Sequence, residues 1–323
     1  MAIFESTMLF LGSIIGAGFA TGAEIITFFG NWQIPVRLTA TIVGIGIFGM
    51  ITLEIFLFYP RTEQTVYKSS PKISKTLHIG IVIIYLILYT AMTAGITQIT
   101  NHWICLISLL CSAIFALSDI QKLTRLNTII VAAIIILITS TTLPRLANFI
   151  DTKAINWKHT MPTIYWAIMY AGLNCFMFPE LIIANAKRHK RNTLLWAGLI
   201  TAIFVTFLLT IILITIKTTH TETDPMPLLS AVPTPITTVI ILLAILTSQY
   251  TALFAIIKCT QKIFPVTKNK PCVTTACICL IAFIASFYGF THIIQHGYPL
   301  IGAFTCFYLL FAFWKQPWRV SHQ

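Results

Sequence analysis

Charge is what this sequence has least of. Lys, Arg, Asp and Glu make up 9% of its 323 residues, and only nine of them are acidic. A soluble domain devotes roughly a quarter of its residues to charge, so too few are present here to cover a water-facing surface. The remainder is 57% hydrophobic with a mean hydropathy of +0.86, which makes lipid the expected solvent. No long polar stretch is left over for a separate soluble domain. The scarcity of acids leaves no Asp-rich motif for a membrane-embedded transferase, and His78, His102, His292 and His296 fall at the ends of apolar runs. An enzyme is therefore not the expected reading. The eight cysteines, three of them (Cys272, Cys277, Cys279) in one apolar run, have no histidine cluster beside them and read as small apolar residues rather than a zinc site. Lys and Arg are also missing from Met1–Ser6, as is a small-residue cleavage site, so the first apolar run is expected to stay in the protein.

Apolar runs of bilayer length are abundant. A helix needs ~20 mainly apolar residues to cross a membrane, and such runs lie near 7–29, 35–58, 77–100, 103–118, 124–143, 162–184, 193–216, 236–257, 272–290 and 298–314. The expected fold class is an all-α integral membrane protein of about ten spans, forming a single transmembrane domain over 1–323. The net charge of +12 does not indicate nucleic acid, because the basic residues cluster between the runs rather than along one face. With both termini cytoplasmic, only Arg37, Arg145, Lys153, Lys158 and Lys217 of the 21 basic residues fall outside. Adding or losing one span would invert that bias, so the positive-inside rule supports the count.

The first span reads Gly12-Ser13-Ile14-Ile15-Gly16-Ala17-Gly18-Phe19-Ala20-Thr21-Gly22-Ala23-Glu24. Each glycine costs roughly 1 kcal/mol relative to alanine inside a helix. Two readings follow. The glycines are either small-xxx-small packing faces or a point where the helix unwinds and exposes backbone to a ligand. Glu24 favours the second, because an acid within a span usually faces a cavity or a partner. The sixth span carries a similar cluster, with Tyr170, Gly172, Asn174, Pro179 and Glu180. Spans one and six would run in opposite directions, as in two inverted five-helix halves that meet at a binding site. The third carboxylate within a span, Glu54, lies near the cytoplasmic end of its run, where snorkelling to the interface or pairing with Arg61 reads equally with a functional role.

The run from Gly12 to Ile25 resembles the first-helix signature of YkvI-like membrane proteins, a branch of the amino acid–polyamine–organocation superfamily. Weaker similarity lies in Tyr170 to Asn174, in Arg125 to Ile130 and in Tyr298 to Gly302, so the resemblance extends over nearly the whole chain. It implies a LeuT-type 5+5 inverted repeat, with repeat one over about 7–143, repeat two over about 162–314, and helices one and six broken. It also implies a sodium site between helices one and eight, built from the backbone carbonyls of Gly12, Ile15 and Ala244 and the hydroxyls of Thr247 and Ser248. The alternative for these hydroxyls is bonding back to their own helix. A second sodium site of some relatives needs an asparagine just after the first break, where this chain has Phe19 and Ala20.

The expected function is secondary transport of a small solute, an amino acid or an amine, across the plasma (cytoplasmic) membrane, coupled to Na+ or H+ and with no other cofactor. Gly16, Ala17, Gly18, Phe19, Tyr89, Tyr170, Gly172, Asn174 and Phe176 are the candidate binding residues. Amides of half-helices starting after Gly18 and Gly172 would face the site and attract an anionic group. Glu24 and Glu180 are the candidate gating or proton-linked residues, one on each side of it. A sensor or receptor subunit that binds a ligand without moving it is the rival reading.

Overall fold

The computed structural model describes residues 2–30, 34–59, 71–117, 120–146, 157–176, 182 and 188–314. Among these the secondary structure is helical, with no strand. The first expected span is three pieces: α1 (Ala2–Ile14), α2 (Ala17–Thr21) and α3 (Ala23–Phe29). Long helices follow: α4 (Val36–Phe58), α5 (Pro71–Ile99), α6 (His102–Ala116), α7 (Ile120–Leu146) and α8 (Trp157–Cys175). The second half holds α9 (Arg191–Thr219), the short α10 (Pro227–Ala231), α11 (Pro235–Ile263), α12 (Pro271–Ser286) and α13 (Phe290–Trp314).

Five helical stretches among the described residues are long and apolar enough to cross a membrane: Val36–Phe58, His78–Ile99, Arg191–Thr219, Pro235–Ile263 and Phe290–Trp314. That is the architecture of a multi-pass membrane protein. Of the other expected spans, four are represented among the described residues by shorter apolar helices: Ala2–Ile14, His102–Ala116, Ile129–Leu143 within α7, and Pro271–Ser286. The first span is interrupted, α6 has only 15 residues, and α8 begins in the polar sequence Trp157-Lys158-His159-Thr160.

α5 and α11 pack most extensively against each other, and α4 packs against α8 and α9. α13 lies along both α8 and α5, while α1 leans on α9. The pieces of the broken first span are thus surrounded. α2 touches α11, and α3 touches α13 and α8. The outward faces of α6, α12 and α13 carry Trp103, Leu110, Leu280, Ile284 and Leu310, all exposed, as lipid contact requires.

α8 does not break at Gly172 itself: it runs through that residue and stops at Cys175, inside the expected sixth span, and residues 177–181 lie outside the described residues. Gly172 serves close packing instead. A Cβ there would lie 2.7 Å from the carbonyl oxygen of Gly302 on α13, and Gly302 in turn presses on the Met169 carbonyl. The two helices cross backbone to backbone at these glycines, the small-residue mode of membrane helix packing. Glu54 does not snorkel. Its side chain is 0% exposed and neither carboxyl oxygen has a hydrogen-bond partner among the described residues. Glu180, and the Arg61 proposed to pair with Glu54, lie outside the described residues.

Candidate functional site

The break begins where the helical ladder of α1 stops. Ile15 N–H donates to the Leu11 carbonyl at 2.7 Å, but Gly16 N–H turns back to the Ile14 carbonyl at 2.8 Å. Gly16 is extended (φ −93°, ψ −171°), so the carbonyls of Gly12 and Ser13 are released from the ladder. The chain re-enters a helix at Ala17 and turns a second time at Gly22, whose φ of +77° lies in the left-handed region. Glycine takes that conformation without a steric penalty. The turn swings Glu24 back across the break. A Cβ on Gly18 would collide with the Glu24 Oε2 and lie 3.1 Å from Tyr298 Cε2.

Glu24 is buried but not isolated. The Tyr170 hydroxyl donates to its Oε1 at 3.1 Å, and the Tyr170 ring is itself wedged edge-on against Phe28 and Phe29, each 5.3 Å away. A carboxyl within a bundle is sustained by such a partner or by a cavity. This one has both.

The carboxyl lines a cavity of about 240 Å³ enclosed by the broken span, α5, α8, α11 and α13. From the break come Gly12, Ser13, Gly16, Ala17 and Gly18. Tyr85 and Met92 of α5, Tyr250 and Phe254 of α11, and Tyr298 of α13 supply apolar walls. Asn174, Thr247 and Ser248 supply polar edges, and among the described residues no Lys, Arg or His lines the space. Asn174 is steadied by its amide nitrogen, which donates to the Tyr170 carbonyl at 2.9 Å.

Several expected residues reach this cavity and several do not. Gly12, Gly16, Ala17, Gly18, Glu24, Asn174, Thr247 and Ser248 line it. Tyr170 acts one layer out, holding Glu24. Phe19 is fully buried without lining the cavity. Tyr89 is turned to the far side of α5, where its hydroxyl meets Ser112 Oγ at 3.0 Å and Cys279 Sγ at 3.2 Å. Tyr85, one turn earlier, takes its place in the wall, and Phe176 packs behind it with ring centroids 5.1 Å apart. Of the sodium-site candidates, Thr247 donates to the Ala244 carbonyl at 2.9 Å, while a Cβ on Gly16 would sit 3.3 Å from Ser248 Oγ. Ile15 is buried beside the break and, like Ala244, does not line the cavity.

A second cavity of about 410 Å³ lies against the other face of α3. Ala23 and Thr27 line it together with Glu222, Asp224, Thr291 and Gln295. Adjacent residues Ala23 and Glu24 therefore face different cavities, and α3 is the partition between them. With seven residues α3, like the five-residue α2, is too short to carry much of a helix dipole. Among the described residues, the acidic side chain at the central cavity is Glu24. Half-helix amides are expected after Gly18 and Gly172; in the structure α2 starts at Ala17, just before Gly18, and the residues that follow α8, 177–181, lie outside the described residues.

Searched against models of known protein families, the chain matches none, and no curated protein matches it significantly either.

Proposed function

We propose that the chain is a secondary transporter, not an enzyme, and that its cargo is a small amine-bearing solute, either an amino acid or a simpler amine. The observation that carries this reading is the Glu24 carboxyl in a cavity at a helix break. In a bilayer, backbone released from a helical ladder is tolerated where it is buried in protein or lines a cavity. Secondary transporters bind cargo at such interruptions. Among the described residues no basic side chain lines the cavity, so Glu24 would set its charge, and the rings of Tyr85, Tyr250, Phe254 and Tyr298 are suited to a cation. Glu222 and Asp224 in the second cavity add negative potential along an approach route, which concentrates cations near the partition.

The same proposal includes the ten-span arrangement, its inverted halves and the likeness to YkvI-like proteins. Support comes from the broken first span, from helices near each expected run, and from the loop charges that favour cytoplasmic termini. Alternating access would move α3, which separates the two cavities. Coupling would use Na+ at Gly12, Ile15, Ala244, Thr247 and Ser248, or H+ at Glu24.

Uptake into proteoliposomes tests this, with a panel of amino acids and amines under separate sodium and proton gradients. The wild type should accumulate an amine-bearing solute, and Glu24→Gln should lose accumulation while keeping its elution profile and thermal unfolding. Undiminished accumulation by Glu24→Gln, or ligand binding without flux, would overturn the reading.

A further inference from the structure

Glu54 stands near the end of α4, and three helices pack against it: α8, α9 and α13. Its own neighbours in sequence, Ile55, Leu57 and Phe58, are as deeply buried as it is. α8 contributes the Cys175 thiol, an electrostatic neighbour of both the Glu54 carboxyl and the Cys306 thiol of α13. Tyr308 of α13 is stacked on Phe58 at 6.2 Å. The strongly basic side chains of α9 are Arg191 and Lys217, at opposite ends of that helix. The Arg191 guanidinium is committed to the outer side of α4, 5.5 Å over the ring of exposed Phe56. Among the described residues, none donates a hydrogen bond to either oxygen of Glu54.

An ionised carboxylate needs donors or a cation around it, and an unpaired one in an apolar interior takes up a proton instead. Thiols are weak donors and bring no positive charge. Glu24 differs, having the Tyr170 hydroxyl and an open cavity. We infer that Glu54 is a proton-binding site in its own right: it holds one proton as a neutral carboxylic acid beside the end of α8 and exchanges it with water. The step is protonation of the carboxylate by hydronium, leaving water, and its reversal; no other bond changes. It does not rest on the transport reading, because proton binding is a property of the resting chain.

Infrared spectroscopy on the full-length protein in lipid nanodiscs tests it at neutral pH. The carbonyl stretch of a protonated acid should be present in the wild type, disappear in Glu54→Gln and persist in Glu24→Gln. In D2O the band should move to lower frequency as the acid proton exchanges. A band that survives in Glu54→Gln, or loss of a carboxylate band in its place, would overturn the assignment. A band that vanishes in Glu54→Gln but never responds to D2O would overturn exchange with water. If Glu54→Gln does not fold, Glu54→Asp serves: it retains the acid one methylene shorter, and the band should change frequency rather than vanish. An unmoved band in that variant would also count against Glu54.

Discussion

The carboxyl of Glu24 occupies the space that a side chain on Gly18 would need. The two residues are therefore a matched pair, and Gly18→Ala is the most direct way to separate them. The added methyl also approaches Tyr298 Cε2 at 3.1 Å. Overpacking of this kind costs about 1–3 kcal/mol, but the Glu24 carboxyl is the flexible end of its side chain and can swing away. The fold should survive while the carboxyl leaves its place beside Tyr170. Amine binding should weaken roughly 5- to 150-fold at 1.4 kcal/mol per decade, with little change in thermal unfolding. Titration calorimetry with a transported amine reads it. Wild-type affinity in Gly18→Ala would mean that the carboxyl does not anchor the ligand.

Tyr170→Phe isolates the hydroxyl from the ring. The ring contacts with Phe28 and Phe29 remain, and only the bond to Glu24 Oε1 is lost. Hydrogen bonds to charged groups contribute roughly 1.5–3 kcal/mol. Without this one the carboxyl is free to reorient, so KM for uptake should rise about tenfold or more, with maximal rate less affected. The loss should be smaller than that of Glu24→Gln, which removes the charge itself. Equal losses in the two variants would show that Tyr170 does more than hold Glu24.

The interruption of the first span was legible because four glycines beside an acid have few other uses in a membrane helix. The location of Glu24 was not. On an unbroken helix a residue six positions on points about 120° away, so nothing in the spacing brings Glu24 over Gly18. The left-handed Gly22 does, and the sign of its φ is not written in the sequence. Gly172 misled for the converse reason. A glycine that lets the helix unwind and one that lets Gly302 approach look alike until α13 is in place. Tyr85 and Tyr89 are one turn apart and equally aromatic; Ser112 and Cys279, distant in sequence, decide which one faces away. Glu54 looked like an interfacial residue from its position in the run, and only the packing of α8, α9 and α13 seals it.

Gly22 and Gly49 offer a contrast in stability. At Gly22 alanine meets two obstacles: the left-handed backbone costs an L residue roughly 1–2 kcal/mol, and its methyl would lie 2.8 Å from Ile216 Cδ1. At Gly49 a methyl meets nothing within 4 Å, and α4 gains from the better helix former by up to about 1 kcal/mol. Thermal unfolding in one detergent should place Gly22→Ala below the wild type and Gly49→Ala at or above it. A Gly22→Ala protein as stable as the wild type would contradict the turn that delivers Glu24.

Thr247 and Ser248 should differ in how they support sodium. Thr247 already donates its proton to the Ala244 carbonyl, which leaves its lone pairs as the usable part. The Ser248 hydroxyl stands beside Gly16, where the α1 ladder ends and carbonyls are released. Sodium accepts only oxygen ligands, and a missing one is not replaced by a methyl group. If sodium drives uptake, Ser248→Ala should raise the half-saturating sodium concentration about tenfold or more, by the same 1.5–3 kcal/mol that contacts to charged groups contribute. Thr247→Ser retains the hydroxyl and should stay near the wild type, while Thr247→Val should behave as Ser248→Ala does. Uptake measured against sodium concentration, with choline as the replacement cation, separates these cases. If the wild type itself ignores the replacement, neither hydroxyl should matter to coupling. The gradient dependence should then follow the proton and vanish in Glu24→Gln, because among the described residues Glu24 supplies the carboxyl that lines the central cavity.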